Sequence, residues 1–514
     1  MHPCAAEVTT GPFAASRAAF AALLVELGGE GAARLGHAEL EEVLDLRGRE
    51  LLRRLYQDHL ELRRLREELA VGAHPAAVTG PDGVIRHAVE TGHQRLLATI
   101  FGTVVVGRCA WRAQGQRNVY PADAALRLPR LRHSHGLRRL AALEAVRGSS
   151  GQATEAVGRR CGQVVGKRQV EQLTVAAATD IDTFYQAVSP QPCTDATVLV
   201  LSVDGKGVVM RPEALREATL KASVAKGTGT YRTRLASGEK PARKRMATLG
   251  VVYDATPAPR RAHDVIVVPA ATAEGRSGQR GCRIGPTARA KWLTGSVTQP
   301  SDQVIGAVSG QAQQRDPTHR RTWVVLVDGA RHQLDLIRDE AQRRGVTVHI
   351  LVDLIHVMEY LWKAAWCFHA DGDPHAEAWV ATHAVSVLSG HLAQTVAAID
   401  AQAVHAGLSG NQRRGVDTCI GYLTAKQEFL DYQTALERGW PIATGVIEGA
   451  CRHLIGDRLD ISGARWGLAG AEAVLKLRAL KTNGDFDRYW RFHLARENHR
   501  VHQAPDQDTY DLAA

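Results

Sequence analysis

None of the eight cysteines (Cys4, Cys109, Cys161, Cys193, Cys282, Cys367, Cys419 and Cys451) stands in a CxxC pair, so the spacing of a zinc ribbon is absent. Scattered in this way, they read as free thiols of a reducing compartment. No apolar run approaches the ~18 residues that a membrane-spanning helix needs. The opening MHPCAAEVTT has neither the basic nor the apolar stretch of a secretory signal. Repeats and low-complexity tracts are missing as well. These absences predict a cytoplasmic protein with no membrane partner, placed near the nucleoid if the host is bacterial.

What is present is length and positive charge. The 514 residues predict two or three domains. The net charge of +10 favours a polyanionic partner, nucleic acid ahead of a membrane surface.

The expected class is multidomain α+β. Residues 1–70 read as a helical N-terminal region, in which Leu51, Leu55, Leu62, Leu65 and Leu69 form an apolar stripe. Residues 71–130 carry a small β element, signalled by the alternating TVVVGRCAW and by the turns GPDG and AQGQ. Residues 131–190 read as a helix-turn-helix, with Ser149 or Ser150 capping its second helix and Cys161-Gly162 breaking it. Lys167, Arg168 and Gln169 open the third helix, where a recognition helix meets base edges and phosphates. A plain helical hairpin with a basic end explains the same pattern.

From residue 191 to 353 strands and helices alternate. TVLVLSVDG, ATLGVVYDA, HDVIVVP, TWVVLVDGA and VTVHILVDL read as strands, and SDQVIGAVSGQAQQR and ARHQLDLIRDEAQRR as helices. The order βββαβαβ predicts an RNase H-like layout with a mixed sheet. A basic stretch, residues 206–245, holds eleven Lys or Arg against three Glu and reads as a solvated loop able to track phosphates. Lys206, Arg243, Lys244 and Arg245 are its DNA-contact candidates. Residues 354–437 form an all-helical insertion. Residues 438–490 return the chain to the catalytic helices, and 491–514 read as a polar, fraying tail.

Three acids carry the chemistry. Asp204 in SVDGKG and Asp328 in VLVDGARHQ each end a β-branched run, and Glu448 lies in TGVIEGA. Neighbouring strands would project both aspartates at one sheet end, and a helix across that end would bring the glutamate. Hard oxygen ligands suit two Mg²⁺ or Mn²⁺ ions, which promote in-line displacement at phosphorus. The glycine after each aspartate permits a tight turn and a close approach of DNA.

With SHGLRRLAALEAVRGS, VGKRQVEQL, VDGKGVVM, WVVLVDGARHQL and TGVIEGACRHLIGDRLDISGARWGL in hand, the chain resembles insertion-sequence transposases of the ISKra type. These lie within the Mutator-like group of DDE transposases, and the resemblance covers most of the chain. A D-x-x-H motif, here Asp353 and His356, is shared with that group. The resemblance implies an RNase H-like catalytic domain with a helical insertion and a catalytic triad of Asp204, Asp328 and Glu448. It also implies double-stranded DNA as partner, both element ends and target, held by a homo-oligomer in a synaptic complex. In the closing block Arg452, Arg458 and Arg465 are candidates to clamp a phosphate, and Trp466 packs in the core or stacks on a base. Two rivals remain: an RNase H-like nuclease that cuts without joining, and a DNA-binding protein that no longer cuts.

Overall fold

The computed structural model describes residues 11–74, 76–190, 194, 196–225, 244–269 and 284–504. The chain is a multidomain α+β protein that divides into two compact units: Met1–Phe184 with Asp485–Ala514, and Tyr185–Gly484.

In the first unit, α1 (Ala14–Gly28) precedes the long helix α2 (His37–Ala73), which lies along a hairpin of β1 (Ala88–Thr99) and β2 (Gly102–Arg112). Alternation of Val104 and Val106 sends their side chains into a core with Leu60 and Leu97. Helix side chains close part of the outer edge of β2, and Val119 pairs with Trp111 near its end. The Gln57 amide donates to the Val105 carbonyl (3.0 Å) and accepts from its N–H (2.8 Å), and Glu67 accepts from the Cys109 N–H. The predicted leucine stripe does not follow the packed side of α2. Leu55, Leu65 and Leu69 are exposed, and the contact runs through Gln57, Leu60 and Glu67 instead.

Helices α3 (His135–Arg147), α4 (Ser150–Cys161) and α5 (Lys167–Ala178) enclose a second small core of Leu137, Ala141, Val157, Val170 and Leu173. Ser149 caps α4 by accepting from the Gln152 N–H, while Gln152 returns a bond to the Ser149 N–H. Gly162, with φ 75°, ends that helix in a conformation that suits glycine. The expected fraying tail is overturned up to His502. Phe486–His502 is a helix with Tyr489, Trp490, His493 and Glu497 buried. Its polar sequence hides this docking, because several of the buried contacts are ionic. Arg138 and Glu497 pair while both are buried, and Asp180 accepts from His493 (2.7 Å), Arg496 (2.9 Å) and Arg500 (2.6 Å).

The second unit is built on a five-stranded mixed sheet of β3 (Val198–Val209), β4 (Lys244–Ala255), β5 (Ala288–Ser296), β6 (Trp323–Val327) and β7 (Val348–Val352), in the order β5-β4-β3-β6-β7. β4 runs antiparallel to both neighbours; β6 and β7 run parallel to β3. Two helices, α6 (Ser301–Arg315) and α7 (Arg331–Arg344), provide the crossovers to β6 and β7. After β7 come α8 (Leu354–Ala365), α9 (Pro374–Leu388), α10 (Leu392–His405) and α11 (Arg414–Ala425), then α12 (Gly445–Cys451) and α13 (Leu468–Thr482).

Two predictions about this sheet are corrected. HDVIVVP is not a strand; Ala262–Val265 is a short helix, started where Asp264 accepts from the Arg261 N–H, and the third strand is β5. The basic stretch 206–245 is not one loop either. Its first residues extend β3 to Val209, Glu217–Ala225 is helical, and Lys244 and Arg245 begin β4. Lys226, Arg232, Arg234, Lys240 and Arg243 lie outside the described residues. Among the described residues no helix is long and apolar enough to cross a membrane.

Candidate functional site

The sheet register brings the acids to one level. β3 and β6 pair in parallel as far as Ser202 and Leu326, and two residues further on stand Asp204 and Asp328. Val327 pairs with Val352, so the next residues on β6 and β7 are Asp328 and Asp353. Three aspartates therefore stand at the same height on three neighbouring parallel strands, Asp204 within its strand and Asp328 and Asp353 just past theirs, with about 5 Å between adjacent strands. Asp204 does not end its strand as predicted: it pairs with Leu249 of β4, and Gly205 with Thr248. Only the second Asp-Gly makes a turn. Gly329 has φ 88°, and a Cβ there would meet Val352 at 3.1 Å and Lys426 at 3.5 Å.

Helix α12, which carries Glu448, packs on β3 and β4. Glu448 and Cys451 are three residues apart and share one helix face. The Cys451 thiol donates to Asp204 Oδ2 at 3.1 Å. Burial, with the Asp204 charge adding to it, pushes that thiol far above its ordinary range, so it keeps its proton. At the start of the helix, the Thr444 hydroxyl donates to Asp353 Oδ2 at 2.6 Å and lies 3.4 Å from Glu448 Oε1. The helix bearing the glutamate is thus tied at one end to Asp353 and at the other to Asp204. Beyond Cys451 it widens into a π-helical turn, Arg452–Gly456, which redirects the chain.

The acids differ in accessibility. Asp204 and Asp328 are half-buried and Glu448 is exposed, whereas Asp353 is 0 % exposed. Asp353 Oδ1 accepts from the Ile355 and Thr444 N–H groups, capping α8. Its complete burial sets it beneath the more accessible acids. His356, one turn further along α8, lies 3.6 Å from Glu359 on its own helix. Asp328 Oδ1 accepts from the Ala330 N–H, and the Tyr422 hydroxyl lies 3.5 Å from the Asp328 carbonyl oxygen. Burial raises the Tyr422 hydroxyl well above its ordinary value, helped by Tyr360, Asp328 and Asp353, so it stays neutral.

Among the basic candidates, Lys206, Arg452 and Arg465 are exposed. Lys244 pairs with Asp460 at 3.3 Å. Arg245 is half-buried and donates to the Val297 carbonyl at 2.8 Å, and burial lowers its pKa. Arg458 is buried with its guanidinium over the Trp466 ring, and the Trp466 indole donates to the Leu459 carbonyl. Arg458 is thus enclosed, and Trp466 is half-buried. In the first unit Lys167 and Arg168 are exposed on the first turn of α5, while the Gln169 side chain folds back to accept from the Gly166 N–H at 2.9 Å.

Four residues near the acids were not singled out from sequence. Thr444 carried a readable signal, a hydroxyl residue just before a helix. Cys451, one turn after Glu448, was visible only as helical spacing. Tyr422 and Lys426 arrive from α11, far along the chain, and no local pattern announces them.

Among the described residues, no three His, Cys, Asp or Glu side chains stand together closely enough to hold a metal ion. The donor chemistry nonetheless fits a hard divalent cation: Asp204, Asp328 and Glu448 offer carboxylate oxygens only, and Glu448 is exposed on a short helix. No protein-family model matches the chain, and no curated protein matches it significantly.

Proposed function

We propose that this protein is a DNA transposase of the insertion-sequence kind, which cuts DNA at the ends of a mobile element and joins them to target DNA. The observation that carries the reading is the register of β3 and β6, which sets Asp204 and Asp328 level on adjacent parallel strands under the helix that bears Glu448. A central strand with one antiparallel neighbour and two parallel strands on its other side supports an RNase H-like assignment for the second unit. Three short helices with a basic first turn at Lys167 and Arg168 support a helix-turn-helix in the first.

Asp204, Asp328 and Glu448 are the residues that would hold two Mg²⁺ or Mn²⁺ ions. Those ions, when bound, would neutralise charge at the scissile phosphate and favour in-line attack. The chain's own part is positioning. The Cys451 thiol orients the Asp204 carboxylate, Thr444 and Asp353 fix the start of the Glu448 helix, and Gly329, next to Asp328, passes close to Lys426. Lys206, Arg452 and Arg465 are exposed cations available to the DNA backbone. The 3′-hydroxyl released by the first cut then attacks target DNA. Both ends must react in one event, so a homo-oligomer belongs to the proposal.

The test is a plasmid carrying the gene's own flanking DNA, incubated with Mg²⁺ and either wild-type protein or Asp328→Asn, with DNA ends and junctions mapped. Cuts at flanking inverted repeats together with new joints, both lost in the variant, are expected. Cuts without joints would instead identify a nuclease. Sequence-specific binding without metal-dependent cutting would identify a DNA-binding protein and end the catalytic reading.

A further inference from the structure

The first unit contains a basic cleft that no motif in the sequence announces. It encloses about 620 Å³ between the hairpin, the segment that follows it and the end of the terminal helix. Six arginines line it (Arg95, Arg108, Arg117, Arg130, Arg132 and Arg500), with His502 beside them and Asp123 as the single acid. Asp180 pairs with Arg500, and Asp123 with Arg95 and Arg108, which leaves an excess of positive charge in a concave space and concentrates positive potential there.

The arginines fall into two groups. Arg95 and Arg108 form the floor, and both contact Asp123. Arg95 also donates to the carbonyls of Pro129 and Leu131, each at 3.0 Å, and the Arg108 guanidinium lies 3.8 Å from the Tyr120 ring centre. These contacts hold two planar cations in fixed orientation, which lowers the entropy cost of meeting an anion. Arg117, Arg130 and Arg132 stand exposed around the rim. Between them Leu96 and Leu131 remain 58 % and 45 % exposed, an apolar surface of the kind a sugar or base face covers.

We propose that this cleft binds the phosphodiester backbone of one DNA strand. Its volume lies within the ~300–1,000 Å³ range of small-ligand pockets, so it accommodates a short ridge of backbone and not the body of a duplex. The choice of DNA among polyanions rests on the function proposed above; the location and charge of the site do not. The cleft supplies contacts that carry no sequence information, and so fixes orientation while other residues read bases.

The test measures binding of a labelled duplex bearing the gene's flanking sequence, by fluorescence anisotropy across a KCl series. The proteins are wild type, the rim variant Arg117→Gln/Arg130→Gln/Arg132→Gln, and a charge-matched control, Arg17→Gln/Arg34→Gln/Arg66→Gln, altered at exposed arginines outside the cleft. Each lost phosphate contact removes ~0.9 from the slope of log K against log salt. The rim variant should therefore lose about 2 to 3 units of slope, and the control none. Arg132→Glu alone, expected to lower the slope by about 1, decides the matter if the triple variant does not fold. A rim slope equal to the wild-type slope overturns the cleft while leaving the transposase reading intact. A wild-type protein that binds no DNA overturns both.

Discussion

Asp353 has no exposed surface, and its two carboxylate oxygens accept three hydrogen bonds from its own chain. A buried acceptor of this kind is costly to strand. Thr444→Val removes the 2.6 Å hydroxyl bond and should destabilise the protein by about 1–3 kcal/mol, measured by urea unfolding. The same hydroxyl lies 3.4 Å from Glu448, so the loss reaches beyond stability. If Thr444 sets the start of α12, DNA cutting should fall by up to ~100-fold while DNA affinity stays unchanged, and Thr444→Ser should restore both stability and cutting. Equal loss in the Ser and Val variants would reduce Thr444 to a packing residue. The acids themselves were legible because each aspartate closes a β-branched run, a pattern confined to neighbouring residues. Asp353's burial was not legible, since it depends on a threonine 91 positions away.

At the scale of the element, what could be read depended on where burial comes from. β3, β4, β6 and β7 are rich in apolar, β-branched residues, most of them buried, and their runs are visible in the sequence. β5, ARAKWLTGS, sits at the sheet edge with its first half largely exposed, and its order is imposed from outside. The Asn483 side chain bonds both the N–H and the carbonyl of Leu293, and Trp292 packs edge-on against Tyr185. HDVIVVP offered the better local pattern and lacked those partners. The terminal helix was missed for a related reason: ionic burial looks polar in sequence. Burial raises the Asp180 carboxyl, but hydrogen bonds and charge from His493 and Arg500 outweigh it and hold the carboxyl well below its ordinary range. A depressed folded-state pKa contributes stability above the unfolded value of ~3.9, and that contribution is lost as pH falls further. Asp180→Asn, which strands buried cations, should cost roughly 3 kcal/mol or more at neutral pH. The gap between wild type and variant should narrow as the pH is taken below about 4. Urea unfolding at a series of pH values measures it; a gap that widens on acidification would mean that Asp180 does not carry the charge in the folded state.

On the scale of the whole molecule, the proposed chemistry and much of the proposed recognition occupy different units. Asp204, Asp328 and Glu448 all belong to the second, while Lys167, Arg168 and the arginine cleft belong to the first. If these assignments hold, binding and cutting are separable by substitution. At saturating protein, the rim variant Arg117→Gln/Arg130→Gln/Arg132→Gln should nick flanking DNA in a single turnover within about twofold of the wild-type rate. It should nonetheless need about tenfold more protein for half-saturation at moderate salt, as expected for lost phosphate contacts. Asp328→Asn should show the reverse, with unchanged half-saturation in binding and no nicking. Raising salt should mimic the rim substitutions in the wild type and leave the saturated rate alone, because neutralised phosphates govern occupancy and not the displacement at phosphorus. A rim variant that lost saturated nicking as well would place those arginines in the reaction itself, and the division of labour between the units would have to be abandoned.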